Sequence, residues 1–181
     1  MTTWEVLAES DRHQWVYQPL VGVGPLRFGM SFEQAAAALD EWTATVTPAH
    51  RSAFEGDQRA GFRTAGSPSY RLPLTAYFGD SEGIVCVVAD ALCGPQVSLD
   101  GIPLVGRVPS QLDAALRELM LTRGTSPQYF PEGDIGADEW GLVIQVQRAG
   151  DVLLTRPVLA VVRQRAYTVW DGMPYDELEV H

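Results

Sequence analysis

Val21-Gly-Val-Gly-Pro-Leu-Arg-Phe-Gly-Met-Ser-Phe-Glu-Gln-Ala-Ala-Ala-Ala-Leu39 is the stretch from which the rest of the chain is read. A run punctuated by glycines ends at Gly29. Ser31 then stands where an N-cap stands, its hydroxyl placed to accept a backbone N–H of the coming turn while Gln34 reaches back as in a capping box. A helix is predicted from Phe32. Four alanines carry the highest intrinsic helix propensity, and Phe32, Ala36 and Leu39 recur at the i, i+4, i+7 spacing that buries one stripe. Glu33, Gln34 and Asp40 occupy the opposite side.

A weakened copy returns at Gly101 to Leu116. Gly106 takes the place of Gly29, and the leucine ten residues later is Leu39 in one copy and Leu116 in the other. Pro109 falls at the first helical position, where the N–H it lacks would be unpaired anyway. Leu112, Ala115, Leu116, Leu119 and Met120 make an apolar face, and Gly124 is placed to cap the C-terminus. Leu26 and Leu104 precede their glycines by three and two residues, so the copies differ by one residue there. The reading is an internal duplication of a helix-led unit.

Strands fill the rest. Trp15 to Leu20 makes a short strand or edge segment, and Thr43 to Thr47 has strand composition that Pro48 stops. A polar loop from Ala49 to Pro68 surrounds a short strand near Phe62. Tyr70, Leu72, Leu74, Ala76 and Phe78 alternate with Arg71, Pro73, Thr75 and Tyr77, the period of a half-buried strand, and the turn from Gly79 to Gly83 leads into the continuous apolar run Ile84 to Ala89. After the second helix, Leu142, Ile144 and Val146 alternate with Val143, Gln145 and Gln147. Gly150-Asp151 turns the chain into Val152 to Leu154 and Val158 to Val162, with Pro157 as an interruption. Tyr167 to Trp170 adds a last strand before an acidic end. Each unit is thus a capped helix followed by antiparallel strands. The expected fold is α+β, two helix-plus-antiparallel-sheet units with the helices packed on one face of the sheet. The units are 1–96, with an N-terminal extension, and 97–181, with an acidic tail, either separate or fused into one continuous domain.

At 181 residues the chain is long enough to bury a core without staples, and its 46% hydrophobic content reads as globular. It holds no run of roughly 18 apolar residues, so no membrane span is expected. The first residues lack the basic start and apolar core of a secretion signal, so a cytoplasmic location is expected. Thirteen basic residues, all arginine, face 23 acidic ones for a net charge of −10. That balance argues against nucleic acid, whose affinity comes from neutralising phosphates, and suits a basic protein partner. Cys86 and Cys93 read as reduced structural thiols.

Nothing in the sequence spells a reaction. His13, His50 and His181 are scattered, and no histidine or cysteine spacing suits a metal. Gly66-Ser67-Pro68-Ser69 lacks the strand and helix that strain a nucleophile into place. Gly22-Val-Gly24 opens like a dinucleotide loop, but Phe28 stands at the next fingerprint position. No catalytic residue, metal or cofactor is expected. Two acidic clusters remain: Glu132, Asp134, Asp138 and Glu139 beside Trp140, and Asp171, Asp176, Glu177 and Glu179 with Trp170 and Tyr175 interleaved. Asp134 and Asp138 do not follow calcium-loop spacing. Read plainly, the clusters are solvated loops and the tryptophans are core. Read functionally, the carboxylates steer a basic partner while the aromatics anchor it.

Gly29-Met30-Ser31 with Phe-Glu-Gln and the alanine-leucine helix resembles the helix opening of small two-layer modules typified by the beta-lactamase inhibitor protein and the small outer-membrane-assembly lipoproteins. Gly24-Pro-Leu-Arg-Phe-Gly-Met-Ser and Leu99-Asp-Gly-Ile-Pro-Leu-Val-Gly-Arg together also resemble a group of uncharacterised actinobacterial proteins, some encoded near polymorphic toxins and read as immunity proteins. The likeness covers residues 20 to 40 and 97 to 120 and the strands only loosely. The chain lacks the lipid-attachment cysteine of the lipoproteins and the disulfide pattern of the secreted inhibitor. What the resemblance implies is protein–protein inhibition without catalysis. The expected function is therefore a non-enzymatic module that neutralises a basic toxin by covering its active site. The alternative is a small-molecule-binding or hydrolytic domain with a pocket between helix and sheet.

Overall fold

Local capping chemistry sets both helices. In the computed structural model, which describes residues 4–51, 57–131, 133–161 and 167–178, α1 spans Phe32–Ala38 and α2 spans Pro109–Arg123. Ser31 Oγ accepts the Gln34 N–H at 3.3 Å and Gln34 Oε1 accepts the Ser31 N–H at 2.8 Å, the reciprocal pair of a capping box. Pro109 opens α2, and Gly124, at φ 70°, closes it. Gly29 (φ 90°) and Gly106 (φ 68°) each turn the chain three residues before a helix begins. That left-handed backbone would cost a side-chain-bearing residue about 1–2 kcal/mol. The buried stripe of α1 centres on Ala35 and ends at Leu39, with Phe32 and Ala36 half-buried, one position round from the expected stripe.

Among the described residues the strands form two sheets. β1 (Gln14–Gln18), β2 (Gly22–Val23) and β3 (Leu26–Arg27) precede α1, and β4 (Thr45–Arg51), β5 (Gln58–Arg63), β6 (Leu74–Gly79) and β7 (Gly83–Ala89) follow it. β8 (Gln96–Leu99) and β9 (Ile102–Pro103) lead into α2. β10 (Gln128–Tyr129), β11 (Ile135–Ala137), β12 (Leu142–Ala149) and β13 (Val152–Ala160) come after it. The smaller sheet has the order β3-β2-β1-β8-β9 and the larger β10-β11-β12-β13-β7-β6-β5-β4. The fold is accordingly mixed α and β. β1 and β8 pair in parallel, with Trp15 opposite Val97, while β13 meets β7, with Leu159 opposite Val87. Both sheets therefore draw strands from each half of the chain, and the 96/97 boundary falls inside β8.

One cluster of buried side chains joins Ala35, Leu39, Leu112, Leu116 and Met120 of the helical segments to Phe62, Leu74, Phe78, Val87, Leu142 and Leu159 of the larger sheet. A second cluster lies on the other side of that sheet, where Tyr77, Val85, Val88, Val143, Val158 and Ala160 meet Val169 and Met173. Arg12 fastens the N-terminal segment: its guanidinium donates to the carbonyls of Gly94 (2.7 Å), Ala91 (2.8 Å), Leu92 (3.1 Å) and Leu7 (3.2 Å).

Several strand expectations are corrected. The Trp15 segment is the middle strand of its sheet rather than an edge. β4 runs past Pro48 because it is an edge strand and its register slips between Thr47 and His50, a place where a missing N–H is tolerated. β6 is buried on both faces, not half-buried, since the C-terminal segment covers Tyr77. β13 is continuous through Pro157. Thr155 N–H points away from β12 to the Arg107 carbonyl at 3.0 Å, so the ring nitrogen two residues on faces that same side, where the β7 ladder starts only at Val158. Tyr167 to Trp170 is turn, not strand, because Asp171 Oδ2 accepts both the Thr168 N–H (3.2 Å) and Oγ1–H (2.9 Å).

Replacing Gly106 by alanine should destabilise the fold by about 1–2 kcal/mol, and Ser31→Ala by about 1 kcal/mol. Thermal melts of the two variants check both values, and an unchanged Tm for Gly106→Ala would mean that the left-handed turn is not required.

Candidate functional site

The two acidic clusters meet through Asp138. Its Oδ2 accepts Gln128 Nε2–H at 2.6 Å and its Oδ1 accepts the Val169 N–H at 2.5 Å, tying the 3-10 turn Asp138–Trp140 to the C-terminal segment. Trp170 stacks on Phe130 beside this tie, with centroids 4.6 Å apart and planes inclined by 26°. Glu139 and Asp171 are exposed, Tyr175 is 43% exposed and Asp134 is half-buried. Trp140 is a core residue at 6% exposure, and its carbonyl accepts the Tyr17 hydroxyl. Glu132 and Glu179 lie outside the described residues.

Asp176 and Glu177 turn inward instead. Glu177, 4% exposed, accepts the Tyr77 hydroxyl on Oε1 at 2.5 Å and Arg156 Nη2–H on Oε2 at 2.7 Å, while its carbonyl accepts Gln145 Nε2–H. Arg59 reaches Asp176 at 3.4 Å. Further along the same sheet face Arg71 reaches Asp90 at 3.4 Å, and Gln147 Nε2–H donates to that carboxylate at 2.7 Å. The three arginines, the three carboxylates and Gln147 line a cavity of about 220 Å³. Burial, then the negative charge of Glu177, pushes the Tyr77 phenol well above its ordinary 10.0. Nε of Arg59, Nε of Arg156 and Oε1 of Gln145 are buried with no hydrogen-bond partner among the described residues. A buried polar group left so costs about 1–3 kcal/mol. This ion cluster was not found by sequence reading. Its charged members lie on five separate segments, and the local trace is the polar side of two neighbouring strands, Gln145 and Gln147 of β12 and Arg156 of β13.

Two other cavities frame the comparison. One of about 330 Å³ lies between the start of α1 and the turn joining β6 to β7, the place a helix–sheet pocket requires; Ser31 and Gln34 on its wall are engaged in the capping box. Another, about 230 Å³, is walled by Trp42, His13 and Cys93. Burial first, then the charge of Asp90, holds the Cys93 thiol far above its ordinary 9.0, and its Sγ–H donates to Asp90 Oδ1 at 3.3 Å. Such a thiol stays protonated and is a poor nucleophile. Among the described residues no group of three or more His, Cys, Asp or Glu side chains is placed to hold a metal, and no helix is long and apolar enough to cross a membrane. No protein-family model, curated protein or solved structure matches the chain.

Removing one partner of the Arg156–Glu177 pair should be costly: Glu177→Ala leaves a buried guanidinium uncompensated and is expected to lose about 3–5 kcal/mol, whereas Arg156→Met with Glu177→Leu should lose only about 1–3 kcal/mol, the cost of leaving the Tyr77 hydroxyl without its acceptor. Chemical denaturation of the three proteins checks this. The raised phenols of Tyr17 and Tyr77 and the raised Cys93 thiol set a pH dependence as well. The folded state keeps these protons where the unfolded chain releases them, so their stabilisation is complete below pH 9.0 and is lost as pH rises through and beyond 10.0. Melts taken across that range should show a falling Tm, with a shallower fall in Tyr17→Phe.

Proposed function

We propose that this chain is a non-enzymatic protein-binding module of the immunity or inhibitor type, which neutralises a basic toxin in the cytoplasm by covering its active site. The observation that carries the reading is the Asp138–Val169 hydrogen bond, reinforced by the Phe130–Trp170 stack, because it gathers the two acidic segments into one surface. Glu139, Asp171 and Tyr175 are its outward-facing members, and a net charge of −10 would speed encounter with a basic partner. Asp138, Asp176 and Glu177 support that surface from beneath. Aromatic rings bordered by carboxylates are the composition that anchors a cationic interface.

The same reading takes the two hairpin–glycine–helix segments, β2-β3-α1 and β8-β9-α2, as descendants of one duplicated unit whose helices lie on one face of the larger sheet. Its support is the shared entry geometry: a two-residue hairpin loop, a left-handed glycine, and a helix three residues later.

Tagged protein isolated from its native cells at low salt should bring down one stoichiometric basic partner, identified by mass spectrometry. The double variant Glu139→Lys, Asp171→Lys should then bind that partner about tenfold or more weakly and with a flatter salt dependence while melting as before. Unchanged affinity and salt dependence would reduce the surface to a solubility feature, and isolation of the protein alone would remove the partner-binding reading.

A further inference from the structure

An arginine is seldom fully buried without a carboxylate beside it. Arg12 is such an exception: it is 6% exposed, and no carboxylate among the described residues stands within ion-pair distance of its guanidinium. The carbonyls of Leu7, Ala91, Leu92 and Gly94 take four of its five N–H groups. Carbonyls satisfy hydrogen bonds but do not cancel charge. Burial accordingly lowers the Arg12 pKa, and the more distant charges of Glu9 and Asp90 oppose that shift without reversing it. This guanidinium lies in the wall of the cavity of about 230 Å³, where the N-terminal segment meets the β5–β6 loop and the loop after β7.

Other donors line the same space. Thr64 Oγ1 and Ser67 Oγ lie 2.7 Å apart, a contact that uses one of their two hydroxyl protons and leaves the other without an acceptor among the described residues. Asp11 also lines the cavity, but it is exposed, and water screens its charge. The rest of the wall is uncharged: the Trp42 ring, Leu7, Pro95 and the Cys93 thiol, whose proton is held by Asp90. Apolar walls with a few polar groups are the composition of a small-molecule site. A buried cation with a spare N–H and a spare hydroxyl proton suits an acceptor that carries negative charge. The net charge of −10 opposes anions at long range, which favours a monoanion over a phosphate dianion. A tryptophan ring and a sulfur atom favour a flat aromatic body. We propose that this cavity binds a small aromatic monocarboxylate, whose ring lies against Trp42 and whose carboxylate is the counter-ion of Arg12. The site shares no residue with the surface of Glu139 and Asp171, so it stands or falls independently of the partner-binding reading.

Calorimetric titration and thermal melts of the full chain with benzoate, phenylacetate and indole-3-acetate test the proposal, with acetate as a carboxylate lacking the ring and benzamide as a ring lacking the charge. At least one aromatic acid should bind with one-to-one stoichiometry and raise Tm saturably, while acetate and benzamide bind at least about tenfold more weakly. Trp42→Leu should weaken the binding of that acid about tenfold or more. The loop double variant Thr64→Val, Ser67→Ala, which removes both hydroxyls, should do so by about tenfold, and it provides the reading should Trp42→Leu fail to fold. No response to any of the three acids, equal binding of acetate or benzamide, or undiminished affinity in either folded variant would each overturn the assignment.

Discussion

Glu177 brings a carboxylate and a carbonyl onto the second face of the larger sheet, where Tyr77, Arg156 and Gln145 hold them. The sheet depends on that attachment because β6 and β7 carry buried side chains on both faces. On the first face the buried cluster is large, with side chains from both sheets and from the helical segments. On the second the cover is the segment 167–178, whose apolar anchors are Val169 and Met173 with Trp170 partly buried beside them. Burial of these side chains is favourable but carries no direction. Charge-assisted hydrogen bonds supply the direction and register that area does not.

That attachment divides the acidic residues between two tasks. Asp90 folds the 90–93 turn by accepting the N–H groups of Leu92 and Cys93, each at 2.9 Å, Asp138 joins two segments, and Asp176 and Glu177 pair with arginines. Glu139 and Asp171 face outward. Net charge therefore overstates what a partner would meet at close range, although it still governs the field at a distance. Arg12 illustrates the converse. Buried at 6% exposure and surrounded by carbonyls, it joins the N-terminal segment to the 91–94 loop and contributes nothing to a surface.

Legibility in the sequence follows how local each interaction is. Both helices were readable because Ser31, Gln34, Pro109 and Gly124 act within one turn of the backbone. The β6–β7 hairpin was readable for the same reason. Asp100-Gly101, with both residues at positive φ between the paired Leu99 and Ile102, is an equally local hairpin signal. Tyr-Thr-Val-Trp at 167–170 has good strand composition, yet the Asp171–Thr168 hydrogen bonds decide in favour of a turn. Tyr77 and Glu177 are separated by 100 residues, and no period or spacing announces their contact. Of the sequence-derived surface, Glu139, Asp171 and Tyr175 face solvent, and the ion-lined cavity nearby had no sequence signal of its own.

That cavity lies beside the place where the β7–β13 ladder ends. β13 pairs with β7 from Val158 to Ala160 and no further back. Pro157 has no N–H to extend the ladder, and Thr155, two residues earlier, gives its backbone N–H and carbonyl to Arg107 and Gly106 in the segment leading into α2. The edge of β13 turns to that segment at this point, and the cavity lies on the sheet face beside it, where Val88 and Asp90 meet Arg156 of β13, Gln147 of β12 and Arg59 of β5. Polar side chains on a buried sheet face need partners, and here they find them in one another and in the C-terminal cover. A proline at the end of a ladder and a cluster of charge thus fall at the same place on the larger sheet, where strand pairing gives way to side-chain pairing.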